Sequence, residues 1–363
     1  LLLVRIGGTV VTVLLRRLLG PGVSGLFDLA LTPYRFFDSV RNFGVGPVLV
    51  YDRSLTRRSA DTAWTFNMLL ALALVAVANL SAGPIAHYYA HPGIERVIRF
   101  LAFAYVLTSI ASVHGYLLLR RLDYRARSLP GVGQVLSAGV VSVVAAVWTV
   151  GTGPLLVREL VSAAVGALLL WIVCPYLPRP TIDMPILRRQ LRYSAWIGAG
   201  LTSLYVSQNA DVFVAGHVIH RAADVGFYTT SWRLSFLLVG AISITVSSVV
   251  FPALSRTSAY SEEFAGTLLT ALRQTAVAVL PSSFCLAAIA PVVIVPLLGA
   301  RWAIYRGDYP IVAVLAFYGG VRSLTAVFLE GYKAVGKPWL ITAYNLARAV
   351  IVVPTMIVAA PHG

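Results

Sequence analysis

Charge is scarce in this chain of 363 residues: only 12% of positions are Asp, Glu, Lys or Arg. An average soluble domain carries about 25%. Lysine is nearly absent, with two against 27 arginines, and cysteine is held to two, Cys174 and Cys285. Two distant thiols in apolar surroundings exclude a disulfide framework and any cysteine-based metal spacing. No phosphate-cradling Gly-rich loop ending in Lys-Ser or Lys-Thr occurs, so direct use of ATP is excluded, and no cofactor is implied. Nucleophile elbows and paired catalytic carboxylates are missing too, which argues against an enzyme. What fills the space is apolar: 58% of residues are hydrophobic, and the mean hydropathy is +0.80. That excess is too large for one soluble core. The net charge of +15 then fits loops facing anionic lipid, and nucleic acid is not an expected partner.

Eleven apolar runs can be marked, at roughly 1–19, 22–50, 62–83, 97–118, 129–150, 155–176, 190–215, 225–250, 267–298, 309–331 and 339–360. Most can cross a hydrocarbon layer about 30 Å thick. The first is read as a clipped transmembrane helix. The breaks between runs carry turn residues, such as Gly20-Pro21, Pro130-Gly131 and Lys337-Pro338. Placing the N-terminus inside assigns 14 positive charges to inner loops, among them Arg57, Arg58, Arg179, Arg188 and Arg189. Eight fall outside: Arg16, Arg17, Arg96, Arg99, Arg158, Arg221, Arg301 and Arg306. The bias predicts a cytoplasmic N-terminus. Gly25-Leu26-Phe27 and Gly226-Phe227-Tyr228, 201 residues apart, open runs two and eight. A repeat of six helices points to a transporter with its site between two halves. The histidine pairs His87/His91 and His217/His220 lack further ligands nearby and read as solvated loop residues.

A series of short motifs runs the length of the chain. Arg17-Leu18-Leu19-Gly20-Pro21 is followed by Asn42-Phe43-Gly44-Val45-Gly46, Phe66-Asn67-Met68-Leu69-Leu70 and Leu119-Arg120-Arg121-Leu122-Asp123-Tyr124. The second half holds Asn209-Ala210-Asp211-Val212-Phe213-Val214-Ala215-Gly216, Phe251-Pro252-Ala253-Leu254-Ser255-Arg256 and Leu298-Gly299-Ala300-Arg301-Trp302. Gly331-Tyr332-Lys333-Ala334-Val335-Gly336-Lys337-Pro338 closes the series. In order and spacing the chain resembles the Wzx-type polysaccharide flippases, the lipopolysaccharide or oligosaccharide exporters of the multidrug/oligosaccharidyl-lipid/polysaccharide exporter superfamily. That resemblance implies an all-α polytopic membrane protein with two pseudo-symmetric six-helix lobes around a central cavity. Residues 1–180 would form the N-terminal lobe and residues 181–363 the C-terminal lobe, the latter short of its last helix. It implies a flippase of the plasma (inner) membrane that translocates isoprenoid-diphosphate-linked oligosaccharide by alternating access. Membrane lipids, a polysaccharide polymerase and glycosyltransferases are the partners it implies.

Polar residues inside the runs are the candidate site, since a charge at mid-bilayer costs about 2.5–3.5 kcal/mol unless shielded. Arg35, Asp38 and Asn42 fall within about 60° of arc at 100° per residue, with Arg41 further round. These form either a polar cavity wall or an internal salt-bridge set. Five of eight intramembrane charges are arginine: Arg35, Arg41, Arg233, Arg322 and Arg348, beside Asp38, Asp211 and Glu330. Asp38 is read as the one acid near mid-membrane. Guanidinium forks suit the diphosphate that the resemblance implies, and Thr202, Tyr205 and Asn209 would line a sugar wall. Asp211 and Arg233, both toward the outer side, form either a gate or a static tie. A drug exporter of the same superfamily, a membrane-embedded polymerase and a scaffold remain as alternatives.

Overall fold

The computed structural model describes residues 2–41, 46–51, 55–121, 123–255, 257–258, 261–337 and 339–359. Among them every regular element is helical. The order is α1 (Leu2–Arg41), α2 (Gly46–Tyr51), α3 (Arg57–Tyr88), α4 (Gly93–Ile110), α5 (Ser112–Arg120), α6 (Tyr124–Trp148) and α7 (Gly153–Val173). Then come α8 (Met184–Val218), α9 (Ala222–Leu254), α10 (Glu262–Leu298), a 3-10 helix (Ala300–Asp308), α11 (Tyr309–Ala334) and α12 (Trp339–Ala359). Seven described helical stretches are long and apolar enough to cross a membrane. Many of their outward side chains are large and apolar: Leu80 is 80% exposed, Val147 70% and Val277 69%. In water such a surface would aggregate, whereas in lipid it is the solvated one.

The first two runs are joined in α1, which breaks at Gly20. Its φ of 81° and ψ of 178° lie in a region that glycine alone occupies at low cost, and the following Pro21 disfavours a helical residue before it. Arg16 and Asp28, twelve residues apart, would be about 18 Å apart along a straight helix. Their ion pair is 2.6 Å long, so the two arms, 2–19 and 21–41, fold back on each other. Leu15, Leu19, Phe27 and Leu29 share one core as a result. The fourth run is also interrupted: Ala111 separates α4 from α5. The Ile110 carbonyl accepts from the indoles of Trp64 (2.9 Å) and Trp171 (3.2 Å), which supply donors at the break.

The chain divides into two compact units, residues 1–225 with 355–363, and residues 226–354. In the first, α3 presents Ala71, Leu74, Ala78, Ala82 and Ala86 at helical spacing. This stripe of small side chains lets neighbouring helices approach closely. This unit includes α8, which packs on α1, α2 and α3. The α7–α8 connector is stitched to the start of α3. Asp61, Thr62 and Thr65 accept from the backbone N–H groups of Arg179 (3.1 Å), Asp183 (3.2 Å) and Thr181 (3.1 Å). Alternate N–H groups of an extended segment point the same way, so one polar helix face meets all three.

The second unit is built on α9, α10 and α11. Gly320 of α11 approaches α10 so closely that a Cβ there would lie 2.8 Å from Ser283 Oγ. Ser235 of α9 donates to the Val312 carbonyl of α11 at 3.4 Å. Gly299, at φ 91°, ends α10 and turns the chain into the 3-10 helix. There Trp302 is fully buried, and Tyr305 stacks on Phe227 at 4.5 Å. Two of the sequence motifs, around Gly226 and Gly299, therefore meet in one packing unit.

Candidate functional site

The second arm of α1 carries the candidate charges, and its orientation is fixed by Tyr34. That ring stacks on Tyr105 of α4 at 4.7 Å, and the Tyr105 hydroxyl donates to the Tyr34 carbonyl at 2.7 Å. With Tyr34 turned inward, the next residue lies 100° round the helix, and Arg35 is exposed. Arg35 has no hydrogen-bond or ion-pair partner among the described residues. Arg41 differs: its Nε donates to Asp38 Oδ1 at 2.8 Å and its Nη1 to Ser109 Oγ of α4 at 3.4 Å. Asp38 thus neutralises Arg41 on its own helix. Asn42 lies outside the described residues.

The expected sugar wall on α8 lies against this arm. The Tyr205 hydroxyl donates to the Thr32 carbonyl at 2.8 Å, and Ser39 Oγ donates to Thr202 Oγ1 at 3.2 Å. Asn209 Nδ2 donates to the Tyr205 carbonyl one turn back at 2.8 Å. Thr202 and Tyr205 therefore tie α8 to α1. Asp211, further along α8, is half-buried.

Two expectations about charge are corrected. Arg16 is not an outer-loop residue: its side chain is 7% exposed and paired to Asp28, itself 5% exposed. Arg158, also counted in a loop, sits on α7, within electrostatic reach of Glu159, Arg35 and Arg16. The readable signal was a basic and an acidic residue flanking Gly20-Pro21, where a turn brings them opposite each other. His217 is likewise not a loop residue. It ends α8, stacks on Tyr88 at 4.3 Å and donates from Nδ1 to the Tyr88 carbonyl at 2.9 Å.

In the second unit Arg322 of α11 lies over two rings of α9, 5.2 Å from the centroid of Phe236 and 5.7 Å from that of Trp232. Trp232 also contacts Phe236 (4.4 Å) and Tyr318 (5.6 Å). Ring quadrupoles hold the cation without neutralising it. Arg233 on α9 is exposed, and Arg348 on α12 is half-buried. Glu330 pairs with Lys333 one turn on, at 2.8 Å. At the connector, burial and the hydrogen bond it donates to Asp61 push the Tyr176 phenol well up, so it stays protonated.

A family model described as "Polysaccharide biosynthesis protein" matches residues 14–305. Among curated proteins, the chain is 24% identical over 338 residues to the succinoglycan biosynthesis transport protein ExoT of Rhizobium meliloti (strain 1021). That match covers 93% of this chain and 67% of ExoT. It is 19% identical to the lipopolysaccharide biosynthesis protein WzxC of Escherichia coli (strain K12), covering 97% of this chain and 71% of WzxC. Among solved structures it resembles the lipid II flippase MurJ in an inward closed conformation. The TM-score is 0.76 at 14% identity, covering 98% of this chain and 78% of MurJ.

Proposed function

We propose, from the premise that this chain belongs to the polysaccharide biosynthesis protein family, that it moves an isoprenoid-diphosphate-linked oligosaccharide from the inner to the outer face of the plasma membrane. The observation that carries this reading is Arg35, a cation held outward by its buried neighbour Tyr34 and left without an anion among the described residues. Such a charge in a membrane helix needs an anionic ligand or water, and a diphosphate suits a guanidinium fork. The transport and flippase names of the relatives support the same reading, as does the family itself. Within the second unit, Arg322, preset over two rings, and Arg348 are the cations proposed to meet an anionic ligand. Arg41 joins Arg35 only when Asp38 lets go, and Asn42 lies beside it in sequence. Tyr205 and Asn209 meet the sugars on one face of α8.

Eleven spanning helices in two lobes, 1–180 and 181–363, with a cytoplasmic N-terminus, complete the proposal. The protein is a transporter rather than an enzyme. It works by alternating access, receives its substrate from glycosyltransferases and passes it to a polymerase. Removing Arg35 costs one charge-assisted contact of about 1.5–3 kcal/mol, or roughly ten- to hundredfold in transport. Arg35→Ala is therefore expected to abolish complementation of a flippase-null strain while inserting normally. Arg35→Lys recovers part of it, having the charge without the fork. Wild-type export from inserted Arg35→Ala would overturn the anchor. Asp211 of the first unit and Arg233 of the second are each proposed to act in gating, so that reversing either charge is expected to lower export from the inserted protein; unchanged export in both variants would reject the role.

A further inference from the structure

Helix α8 is held at its two ends by contacts of different kinds, and between them by the Tyr205–Thr32 and Ser39–Thr202 bonds to α1, which part with the far end in the movement inferred below. At the connector end, three backbone N–H groups lie on side chains of α3, and the buried Gln190 donates to the Ser59 carbonyl at 3.1 Å. The Thr181–Thr65 bond is exposed, but parting the others would strand the buried side chains of Asp61, Thr62 and Gln190, each at a cost of about 1–3 kcal/mol. At the far end the contact is mostly apolar. Gly216 is buried against Leu29 and Tyr89, and a Cβ there would overlap Leu29 and lie 2.6 Å from the Tyr89 ring. Phe213 and Ile219 continue the packing. From that last turn His217 donates to the Tyr88 carbonyl at 2.9 Å. His217 and Tyr88 are both exposed, so water replaces that bond when it breaks. The receiving α3–α4 turn is firm: Ala90 takes φ 55°, held by Ala90 N–H to the His87 carbonyl and His91 N–H to the Ala86 carbonyl, both at 3.0 Å.

We infer that Gly216 and His217 form a latch on Leu29, Tyr88 and Tyr89. It is closed in this conformation and releases in each transport cycle, while α8 pivots on its connector end. The inference rests on the transport reading above and gives it an opening element. Contacts without buried polar partners separate reversibly, whereas the stitched end does not.

The test uses the full-length protein with Cys174 and Cys285 replaced by Ala. Cysteines at Tyr88 and His217, joined by a short reducible thiosulfonate cross-linker, are expected to link in membranes, stop export and release it on reduction. A control pair at Thr65 and Thr181 is expected to link without loss of export. Export that survives the first link, failure to link, or equal loss from the control link would each overturn the latch. A second variant is independent of activity. Gly216→Val is expected to wedge the contact open, so that a cysteine at Leu29 reacts with a maleimide that leaves it untouched in the Gly216 background. Continued protection at position 29 in the inserted variant rejects the latch. If the unaltered chain exports no glycan and yet the wedge exposes position 29, the transport reading fails while the separable contact stands.

Discussion

A charge in an apolar helix is informative only through what neutralises it. Arg16 and Asp28 neutralise each other away from solvent, and so they contribute to architecture rather than to a ligand. Taking away one partner leaves the other buried without its ion pair, at about 3–5 kcal/mol, whereas replacing both with apolar side chains costs far less. Arg16→Met and Asp28→Leu are thus each expected to lower the melting temperature in detergent sharply, and the double variant to regain most of it. Additive losses would show that the pair is not coupled. Arg35 is the opposite case, exposed beside a riveted tyrosine, and under the proposed function its loss is expected to lower transport rather than stability.

At the scale of elements, the polar face at the start of α3 has a job that its helix propensity does not reveal. Asp61, Thr62 and Thr65 close over the connector as an extended strap. Thr65→Val keeps the shape and removes one acceptor, so the cost is about 1 kcal/mol and local. Hydrogen exchange of the Thr181 amide is expected to speed up while amides in the middle of α3 stay unchanged. Unchanged exchange at Thr181 would mean that the strap is held by its apolar neighbours instead. The same element logic explains α1: one glycine with positive φ, followed by proline, turns a forty-residue helix into a hairpin.

On the scale of the whole molecule, orientation rests on the distribution of arginine. With a cytoplasmic N-terminus the sequence assigns 14 positive charges to the inside and eight to the outside, and this bias is the basis of the proposed orientation. A cysteine replacing the exposed Arg189, in the Cys-to-Ala background, is expected to react with an impermeant maleimide only after the membrane is opened. One replacing the exposed Arg96 is expected to react in intact cells. The reverse pattern would invert the proposed topology.

The sequence alone determined that this is a helical, multi-pass membrane protein, because apolar runs of spanning length carry that information locally. Its motif series also determined the kinship, and Gly20-Pro21 marked a break that the structure contains. Tertiary structure decided the pairings. Asp28 against Arg16, Tyr34 against Tyr105 and Thr202 against Ser39 depend on which helix faces join, and spacing along one helix does not encode that. Placing His217 beside Tyr88 required the same information: 129 residues separate them in sequence, and the packing of α8 on α1 and α3 brings them together.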